Sequence, residues 1–234
     1  MKNLSRLVHL LILSLLLSGN ACKNDNSATK TAIEKPTEKA AADPKTAAKK
    51  SIVFFGNSLT AAYGLSPEQG FPALIQKKLD SLGLSYKVTD AGVSGNTTAD
   101  GKGRINWVLQ QPIDIFVLEL GGNDALRGLP VDAAKANLQD ILTAVKTKYP
   151  AVKIVLAGMQ APPNLGKKYA TDFKNMYPDL ARANQCALVP FLLENVGGEV
   201  DLNQKDGIHP TAAGHKIVAE NVWRAMKSLV LENQ

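Results

Sequence analysis

One serine of this 234-residue chain lies in a sequence context that suits a catalytic nucleophile. Ser58 lies in Gly56-Asn57-Ser58-Leu59-Thr60, directly after a short apolar run. A serine hydroxyl is a useful nucleophile only when a base takes its proton, and that base is normally a histidine oriented by a carboxylate. Ser58 is therefore a candidate for acyl transfer if such a histidine can reach it. The alternative is that Ser58 only caps a helix, which is a common role of serine.

Histidine is scarce in this chain, and only one of the three suits the role of base. His9 lies in an N-terminal apolar segment, and His215 falls in the last amphipathic segment, where an unremarkable surface position or a hydrogen-bonded structural one is expected. His209 follows Asp206 by three residues in a loop that contains a glycine and ends in a proline. That spacing lets the carboxylate fold back onto one ring nitrogen and leaves the other for Ser58. We predict Ser58, His209 and Asp206 as nucleophile, base and orienting carboxylate.

Two further loops offer hydrogen-bond donors for the negative oxygen that forms when an ester carbonyl is attacked. Gly95 follows a second apolar run and has no side chain to shield its backbone N–H. Asn123 follows a third run, in Gly121-Gly122-Asn123-Asp124, and can offer its side-chain amide. Such donors supply a large electrostatic part of acyl-transfer catalysis. We predict an oxyanion hole formed by the Ser58 N–H, the Gly95 N–H and the Asn123 amide, although each loop alone could be an ordinary turn.

The segments that must position these residues alternate along the chain. Apolar runs at 52–55, 86–89, 113–120, 153–157 and 188–191 alternate with amphipathic segments at 71–82, 98–110, 131–149, 169–184 and 211–229. This alternation predicts an α/β fold, a three-layer α/β/α sandwich around a parallel sheet of about five strands. Ligands bind beyond the carboxyl ends of such strands, which is where the three candidate loops fall. Ser58 is expected to stand at the start of a helix.

The charge of the chain is uneven. The first fifty residues hold nine Lys and Arg against four Asp and Glu, and the rest hold 18 against 17, so most of the net +6 lies in the N-terminal segment. A near-neutral domain gains little from counterion release, so nucleic acid is not predicted as a partner. The two cysteines, Cys22 and Cys186, have neither disulfide nor metal-ligand spacing, and Cys186 is predicted to be buried. No cofactor or metal is predicted, because no phosphate-binding loop or ligand cluster occurs.

The N-terminal segment has the features of an export signal. Residues 1–21 contain basic residues followed by an apolar stretch, which is shorter than the roughly 20 residues of a membrane span. The pair Ala21-Cys22 resembles the lipidation site of bacterial lipoproteins. The two preceding residues depart from its commonest form, so ordinary cleavage that leaves a free thiol stays an alternative. We predict a membrane-anchored lipoprotein of the bacterial cell envelope, with a lipid on Cys22, a disordered linker at 22–49 and a folded domain at 50–234.

The four blocks around Ser58, Gly95, Asn123 and His209 resemble those of the GDSL/SGNH hydrolases, which supply Ser, Gly, Asn and His in that order. The similarity covers about residues 50–230 and is greatest to the bacterial arylesterase, acyl-CoA thioesterase I and lysophospholipase subgroup. One departure is Asn57, where the family usually has Asp. The resemblance implies the flavodoxin-like fold of that family and hydrolysis of carboxylic or thio esters, including lysophospholipids, through an acyl-Ser58 intermediate.

Two other functions stay open at this point. The same fold could serve as a carbohydrate O-deacetylase, or as a surface lipoprotein that binds a ligand without catalysis. The α/β-hydrolase fold is disfavoured, because its Gly-x-Ser-x-Gly motif would need glycine where this chain has Thr60.

Overall fold

Five apolar segments pair edge to edge as the central sheet of the fold. In the computed structural model, which describes residues 49–232, the strands are β1 Lys50–Gly56, β2 Tyr86–Gly92, β3 Ile115–Glu119, β4 Lys153–Ala157 and β5 Ala187–Val189. All neighbouring pairs are parallel, in the order β2-β1-β3-β4-β5. The predicted α/β fold with a parallel sheet of five strands is confirmed. The predicted signal at 1–21, Cys22 and the linker up to residue 48 lie outside the described residues.

Residues 49–232 also form six α-helices. They are α1 Phe71–Ser81, α2 Thr98–Val108, α3 Gly122–Leu126, α4 Val131–Lys148, α5 Lys167–Asn184 and α6 Ala212–Leu231. Helix α1 packs against α6, whereas α4 contacts both α2 and α5, so the helices form two groups. The result is the three-layer α/β/α arrangement that the sequence predicted. Within residues 49–232, no helix has both the length and the apolar character needed to cross a membrane.

The buried strands explain why the sequence shows continuous apolar runs rather than alternation. Residues Ile52 to Phe55 of β1 are completely buried, because helices cover both faces of the sheet. The helices show the complementary pattern. In α4, Leu138, Ile141, Leu142 and Val145 are buried at helical spacing, and these side chains face the core.

The segment after Ser58 differs from the prediction. Residues 57–65 form successive turns, and α1 begins only at Phe71, so the expectation that Ser58 starts a helix is wrong. The backbone of Ala62 is left-handed, with φ of 52°, which prevents a right-handed helix from continuing through it. Cys186 also differs in degree, because it is half-buried rather than buried. The short helix α3 was not predicted.

Two glycines of α2 provide a test of how closely this helix approaches the sheet. A Cβ added to Gly101 would lie 2.3 Å from Leu120 Cδ1 and 3.3 Å from Phe55 Cε1, whereas a Cβ on Gly103 would meet nothing within 4 Å. We expect Gly101→Ala to lower the free energy of unfolding, because overpacking a core costs about 1–3 kcal/mol. Gly103→Ala is the matched control and should raise it by up to about 1 kcal/mol, because alanine favours helix. Thermal melts that shift equally for both variants would contradict this packing.

Candidate active site

Ser58, His209 and Asp206 lie within hydrogen-bonding distance of one another. Ser58 Oγ is 2.9 Å from His209 Nε2, and His209 Nδ1 is 2.7 Å from Asp206 Oδ2. A neutral imidazole carries its proton on one nitrogen, and the carboxylate favours that proton on Nδ1. Nε2 is then left to accept the hydroxyl proton of Ser58. The structure therefore brings together the three residues that the sequence singled out for the nucleophile, the base and the orienting carboxylate.

Local hydrogen bonds shape the loop that carries the histidine. Asp206 Oδ1 accepts the backbone N–H groups of Ile208 at 3.0 Å and His209 at 3.1 Å, while its other oxygen faces the imidazole. Gly207 between them has φ of 74°, a conformation that favours glycine. The hydrogen bond from His209, followed by that from the Ile208 N–H, lowers the pKa of Asp206 to about 2. Asp206 is therefore ionised near neutral pH.

A glutamine joins the histidine loop to the segment that carries Ser58. The Gln204 backbone N–H donates to the His209 carbonyl oxygen at 2.7 Å, and Gln204 Nε2 donates to the Tyr63 carbonyl oxygen at 2.7 Å. The ring of Tyr63 also packs against the His209 imidazole, with 4.6 Å between ring centroids. These contacts hold the two segments beside each other although 151 positions separate Ser58 from His209.

The other two predicted oxyanion donors, Gly95 and Asn123, line the same cavity as Ser58 and His209. Gly95 has φ of 82°, which favours glycine at the point where its backbone N–H is expected to act. Asn123 Nδ2 donates to the Asn96 carbonyl oxygen at 2.9 Å. An amide nitrogen carries two hydrogens, so this bond orients the Asn123 side chain and leaves a second N–H for a ligand. The structure thus brings Ser58, Gly95 and Asn123 to one site.

The turn that presents Asn123 depends on Gly121. This residue has φ of 113°, and a Cβ on it would lie 2.2 Å from the Tyr177 hydroxyl oxygen. That hydroxyl donates to the Leu120 carbonyl oxygen at 3.0 Å. Only glycine satisfies both the backbone conformation and the close approach of the tyrosine.

A buried carboxylate holds the segment around the nucleophile. Glu119, at the end of β3, is 1% exposed. Its Oε2 accepts the Asn57 backbone N–H at 3.0 Å and the Thr60 hydroxyl at 2.8 Å, and its Oε1 accepts Asn57 Nδ2 at 2.8 Å. Asn57 Oδ1 in turn accepts the Leu59 N–H at 2.9 Å. The residues on both sides of Ser58 are therefore fixed to the central sheet.

The amide of Asn57 suits this partner better than an aspartate carboxylate would. An amide donates to Glu119 without needing a proton from solution, whereas an aspartate at this position could donate only in its protonated form. Burial raises the pKa of Glu119 to about 7, and the N–H and hydroxyl donors oppose that rise. Asn57 thus removes the need for two carboxyl groups to share a proton beside the nucleophile.

The sequence interpretation did not single out Glu119, Gln204 or Tyr63. Glu119 had a signal, because it is one of only two ionisable residues in the apolar run 113–120, and Asp114, the other, lies near its start. A charge in a strand covered on both faces must be paired or hydrogen-bonded, which marks it as a structural or functional group. Gln204 and Tyr63 had no comparable signal, because loop residues of these types are common at exposed positions.

His215 has the second of the two roles that the sequence left open, a hydrogen-bonded structural position. Its ring is buried, and its Nδ1 accepts the backbone N–H of Phe71 at 3.2 Å at the start of α1. Burial lowers the pKa of His215 to about 4, so the ring is neutral near pH 7. It links α6 to α1 and takes no part in the group around Ser58.

The cavity over Ser58 has a volume of about 570 Å³ and a largely apolar wall. Its apolar lining includes Leu126, Met159, Pro162, Pro163, Phe191 and Leu193. A cavity of this size and character accommodates an apolar chain next to the Ser58 hydroxyl. Among residues 49–232, no group of His, Cys, Asp and Glu side chains is arranged to hold a metal ion.

Exchanging the amide for a carboxylate tests the pair formed by Asn57 and Glu119. In Asn57→Asp, two carboxyl groups face each other at the present 2.8 Å contact, and they must share a proton. The folded variant then holds a proton that the unfolded chain releases, so its free energy of unfolding falls as pH rises. The folded wild type already holds a proton on Glu119 below its raised pKa of about 7, so the two proteins differ in pH dependence above that value. We expect the Tm of the variant to drop progressively below that of the wild type as the pH rises above about 7.

The control for this experiment is the double variant Asn57→Asp/Glu119→Gln, which exchanges the amide and the carboxylate. The glutamine amide that it introduces on β3 can donate to the new carboxylate and still accept from the backbone N–H of residue 57 and from Thr60. The double variant should lose the extra pH dependence of the single variant. A Tm difference that stays constant with pH in the single variant would refute the shared proton.

Known proteins resemble this chain over most of its length. The model of the GDSL-like Lipase/Acylhydrolase family matches residues 54–217. Esterase TesA of Pseudomonas aeruginosa is 40% identical over 185 residues, which cover 79% of this chain and 91% of the relative. Thioesterase 1/protease 1/lysophospholipase L1 of Escherichia coli K12 is 33% identical over 187 residues, or 80% of this chain and 88% of the relative.

Solved structures show the same similarity. The crystal structure of AlinE4, described as an SGNH-hydrolase family esterase, is 42% identical to this chain, with a TM-score of 0.65. The match covers 79% of this chain and 96% of AlinE4. The chain therefore belongs to the GDSL-like lipase/acylhydrolase family, as its four sequence blocks predicted.

Proposed function

We propose that this protein is a serine hydrolase that cleaves carboxylic or thio esters with an apolar acyl group through an acyl-Ser58 intermediate. The observation that carries the proposal is the continuous hydrogen-bonded series from Asp206 through His209 to Ser58, with distances of 2.7 and 2.9 Å. This series opens into the apolar cavity. The relatives named as esterase and thioesterase support the same reaction class.

In the first half of the reaction, Ser58 Oγ attacks the carbonyl carbon of the substrate while His209 Nε2 takes the hydroxyl proton. The carbonyl oxygen becomes negative and accepts hydrogen bonds from the Ser58 and Gly95 N–H groups and the Asn123 amide. Collapse of this intermediate breaks the bond to the alcohol or thiol, which leaves with the proton from His209. The acyl group is then an ester of Ser58.

In the second half, a water molecule replaces the alcohol or thiol. His209 takes a proton from the water as its oxygen attacks the acyl carbon, and the same donors hold the negative oxygen. The proton then passes to Ser58 Oγ as the acyl bond breaks. The products are a carboxylic acid and the free enzyme. Throughout, Asp206 stabilises the imidazolium and keeps the ring in one orientation.

The cavity favours an acyl chain longer than acetyl. Burying each additional methylene against an apolar wall contributes about 0.8 kcal/mol, whereas an acetyl group leaves most of this wall uncovered. This observation supports an esterase or thioesterase over a carbohydrate O-deacetylase. The hydrogen bonds among Ser58, His209 and Asp206 argue against a protein that only binds its ligand, because binding alone requires no activated hydroxyl.

Substitutions in the proposed machinery should give graded losses of turnover. Ser58→Ala and His209→Ala should each abolish it, and the double variant should lose little more, because these groups act as one unit. Asp206→Ala should lose less than either, because His209 still accepts a proton. Asn123→Ala should lower kcat roughly 10²–10³-fold with KM little changed, because its donor serves mainly the charged transition state.

The measurement is kcat and KM on p-nitrophenyl acetate, butyrate, hexanoate and octanoate, with thermal melts of each variant. Ser81→Ala is the matched control, because this serine lies in α1 and its hydroxyl bonds only the Lys78 carbonyl oxygen. The wild type should prefer a chain longer than acetyl. Preference for acetate would favour the deacetylase, and full activity in Ser58→Ala would reject the serine-hydrolase mechanism.

We also propose that the protein is exported and anchored to a membrane by a lipid on Cys22. The support is the sequence alone: a basic and apolar segment at 1–21, the Ala21-Cys22 pair and a polar linker up to residue 49. Stable anchoring needs at least two acyl chains, as on a bacterial lipoprotein cysteine.

Metabolic labelling with a fatty-acid analogue tests this anchor. The wild type should be labelled and should sediment with membranes, and Cys22→Ser should be unlabelled. Cys186→Ser is the matched control and should be labelled like the wild type. Release of an unlabelled wild-type protein in soluble form would reject the anchor and leave ordinary signal cleavage.

A further inference from the structure

Arg104 projects from the inward face of α2 toward the ends of β1 and β2. The neighbouring positions Gly101, Ile105 and Val108 of this helix are buried, and Arg104 is half-buried among them. Its guanidinium carbon lies 3.9 Å from the centroid of the Phe55 ring. A cation at this distance from an aromatic face is attracted to it, and the ring fixes the plane of the guanidinium.

The guanidinium binds two acceptors that belong to different loops. Arg104 Nη2 donates to the Gly56 carbonyl oxygen at 2.9 Å, and Arg104 Nε donates to Asn96 Oδ1 at 2.6 Å. Gly56 ends β1 two positions before Ser58, and Asn96 follows Gly95 directly. One side chain thus joins the two loops that carry the proposed backbone donors.

The same series of hydrogen bonds reaches the third donor. The Asn96 carbonyl oxygen accepts Asn123 Nδ2 at 2.9 Å, so Asn96 binds Arg104 with its side chain and Asn123 with its backbone. Arg127 Nη2 donates to the Gly95 carbonyl oxygen at 3.0 Å and holds the other side of this loop. All three donors are therefore connected through Asn96 and the guanidinium of Arg104.

An ordinary surface ion pair does not account for Arg104. Among the described residues, the ion pairs within 4 Å join other side chains, and none includes Arg104. Burial lowers the pKa of Arg104, and the carboxylate of Asp100, one turn earlier in α2, only partly opposes this. Partly burying a cation against neutral acceptors costs free energy. This cost favours a role for Arg104 in positioning its hydrogen-bond partners over a role in stabilising the fold.

We infer that Arg104 is a positioning residue that sets the spacing of the oxyanion donors by holding the Gly56 carbonyl and the Asn96 side chain at once. The inference rests on the proposed function, because it assigns a role within that oxyanion hole. A guanidinium presents its donors in a rigid fork, whereas a lysine ammonium is a point charge on a flexible stem. Displacement of catalytic groups by about 1 Å can cost about 10²-fold in rate.

The test compares Arg104→Ala and Arg104→Lys with the wild type on p-nitrophenyl butyrate. We expect both variants to lose about 10- to 100-fold in kcat with KM changed less than about twofold, because the donors act mainly on the transition state. Guanidinium ion at a concentration far below the denaturing range should restore part of the kcat of Arg104→Ala. It should leave Arg104→Lys unchanged, because the lysine stem and charge fill the place of the guanidinium.

Lys102→Ala is the matched control, because Lys102 lies in the same helix but pairs with Asp140 at 2.6 Å, away from the loops. Its kcat should equal that of the wild type. A wild-type kcat in Arg104→Ala, or full activity in Arg104→Lys, would overturn the positioning role. So would a loss of kcat that follows a loss of folding in both variants and does not respond to guanidinium.

Ser58→Ala, measured in the same series, separates this inference from the proposed function. If Ser58→Ala is inactive while the Arg104 variants keep the wild-type kcat, only the role of Arg104 is wrong. If Ser58→Ala is active, the serine-hydrolase mechanism itself fails and the role of Arg104 in it falls as well.

Discussion

The Glu119 carboxylate is buried at the end of β3 and has no ion-pair partner among the described residues, so neutral donors must satisfy its oxygens. Those donors come from Asn57 and Thr60, on either side of Ser58. A buried carboxylate that loses such donors is costly, so the turn around the nucleophile cannot relax without a large loss of free energy. The position of Ser58 therefore depends on a buried carboxyl group that belongs to another strand.

A second buried carboxylate has the same effect on the neighbouring loops. Asp124, in α3, accepts the Thr98 backbone N–H at 2.9 Å and the Thr98 hydroxyl at 2.6 Å at the start of α2. Asp124 follows Asn123 directly, and Thr98 begins α2 just after the loop of Gly95. The hydrogen bonds between Asp124 and Thr98 therefore hold Asn123 and that loop together. Because hydrogen-bond donors aid catalysis only when they are already oriented before charge develops, this rigidity suits an oxyanion hole.

The base is held in a different way. Asp206 and His209 lie in an exposed loop, and their geometry depends on hydrogen bonds between residues that are neighbours in the chain. The loop contacts the rest of the site chiefly through Gln204 and through the ring of Tyr63. The site thus combines the proposed nucleophile and donors, which are fixed to the core, with the proposed base, which a local loop supplies. The apolar cavity between them is the proposed binding site of the acyl chain.

The sequence by itself determined the parts that depend on local pattern. Buried strands alternating with amphipathic helices predicted the parallel sheet, and the rule that ligands bind at the carboxyl ends of strands placed the loops of Ser58, Gly95 and Asn123 at one edge. Asp206 and His209 could be paired because three positions separate them. These inferences need only the period of the elements and the reach of a short loop.

Only the tertiary structure decided how those loops are held. Glu119 contacts Asn57 across 62 positions, and Arg104 contacts Gly56 across 48. Such contacts leave no periodic trace in the sequence, so neither the turn after Ser58 nor the links among the donors could be predicted. The expectation of a helix at Ser58 failed for the same reason, because local propensity gave way to hydrogen bonds with a distant buried carboxylate and to the left-handed backbone at Ala62. Side-chain partners far apart in the chain become neighbours only when the sheet has formed.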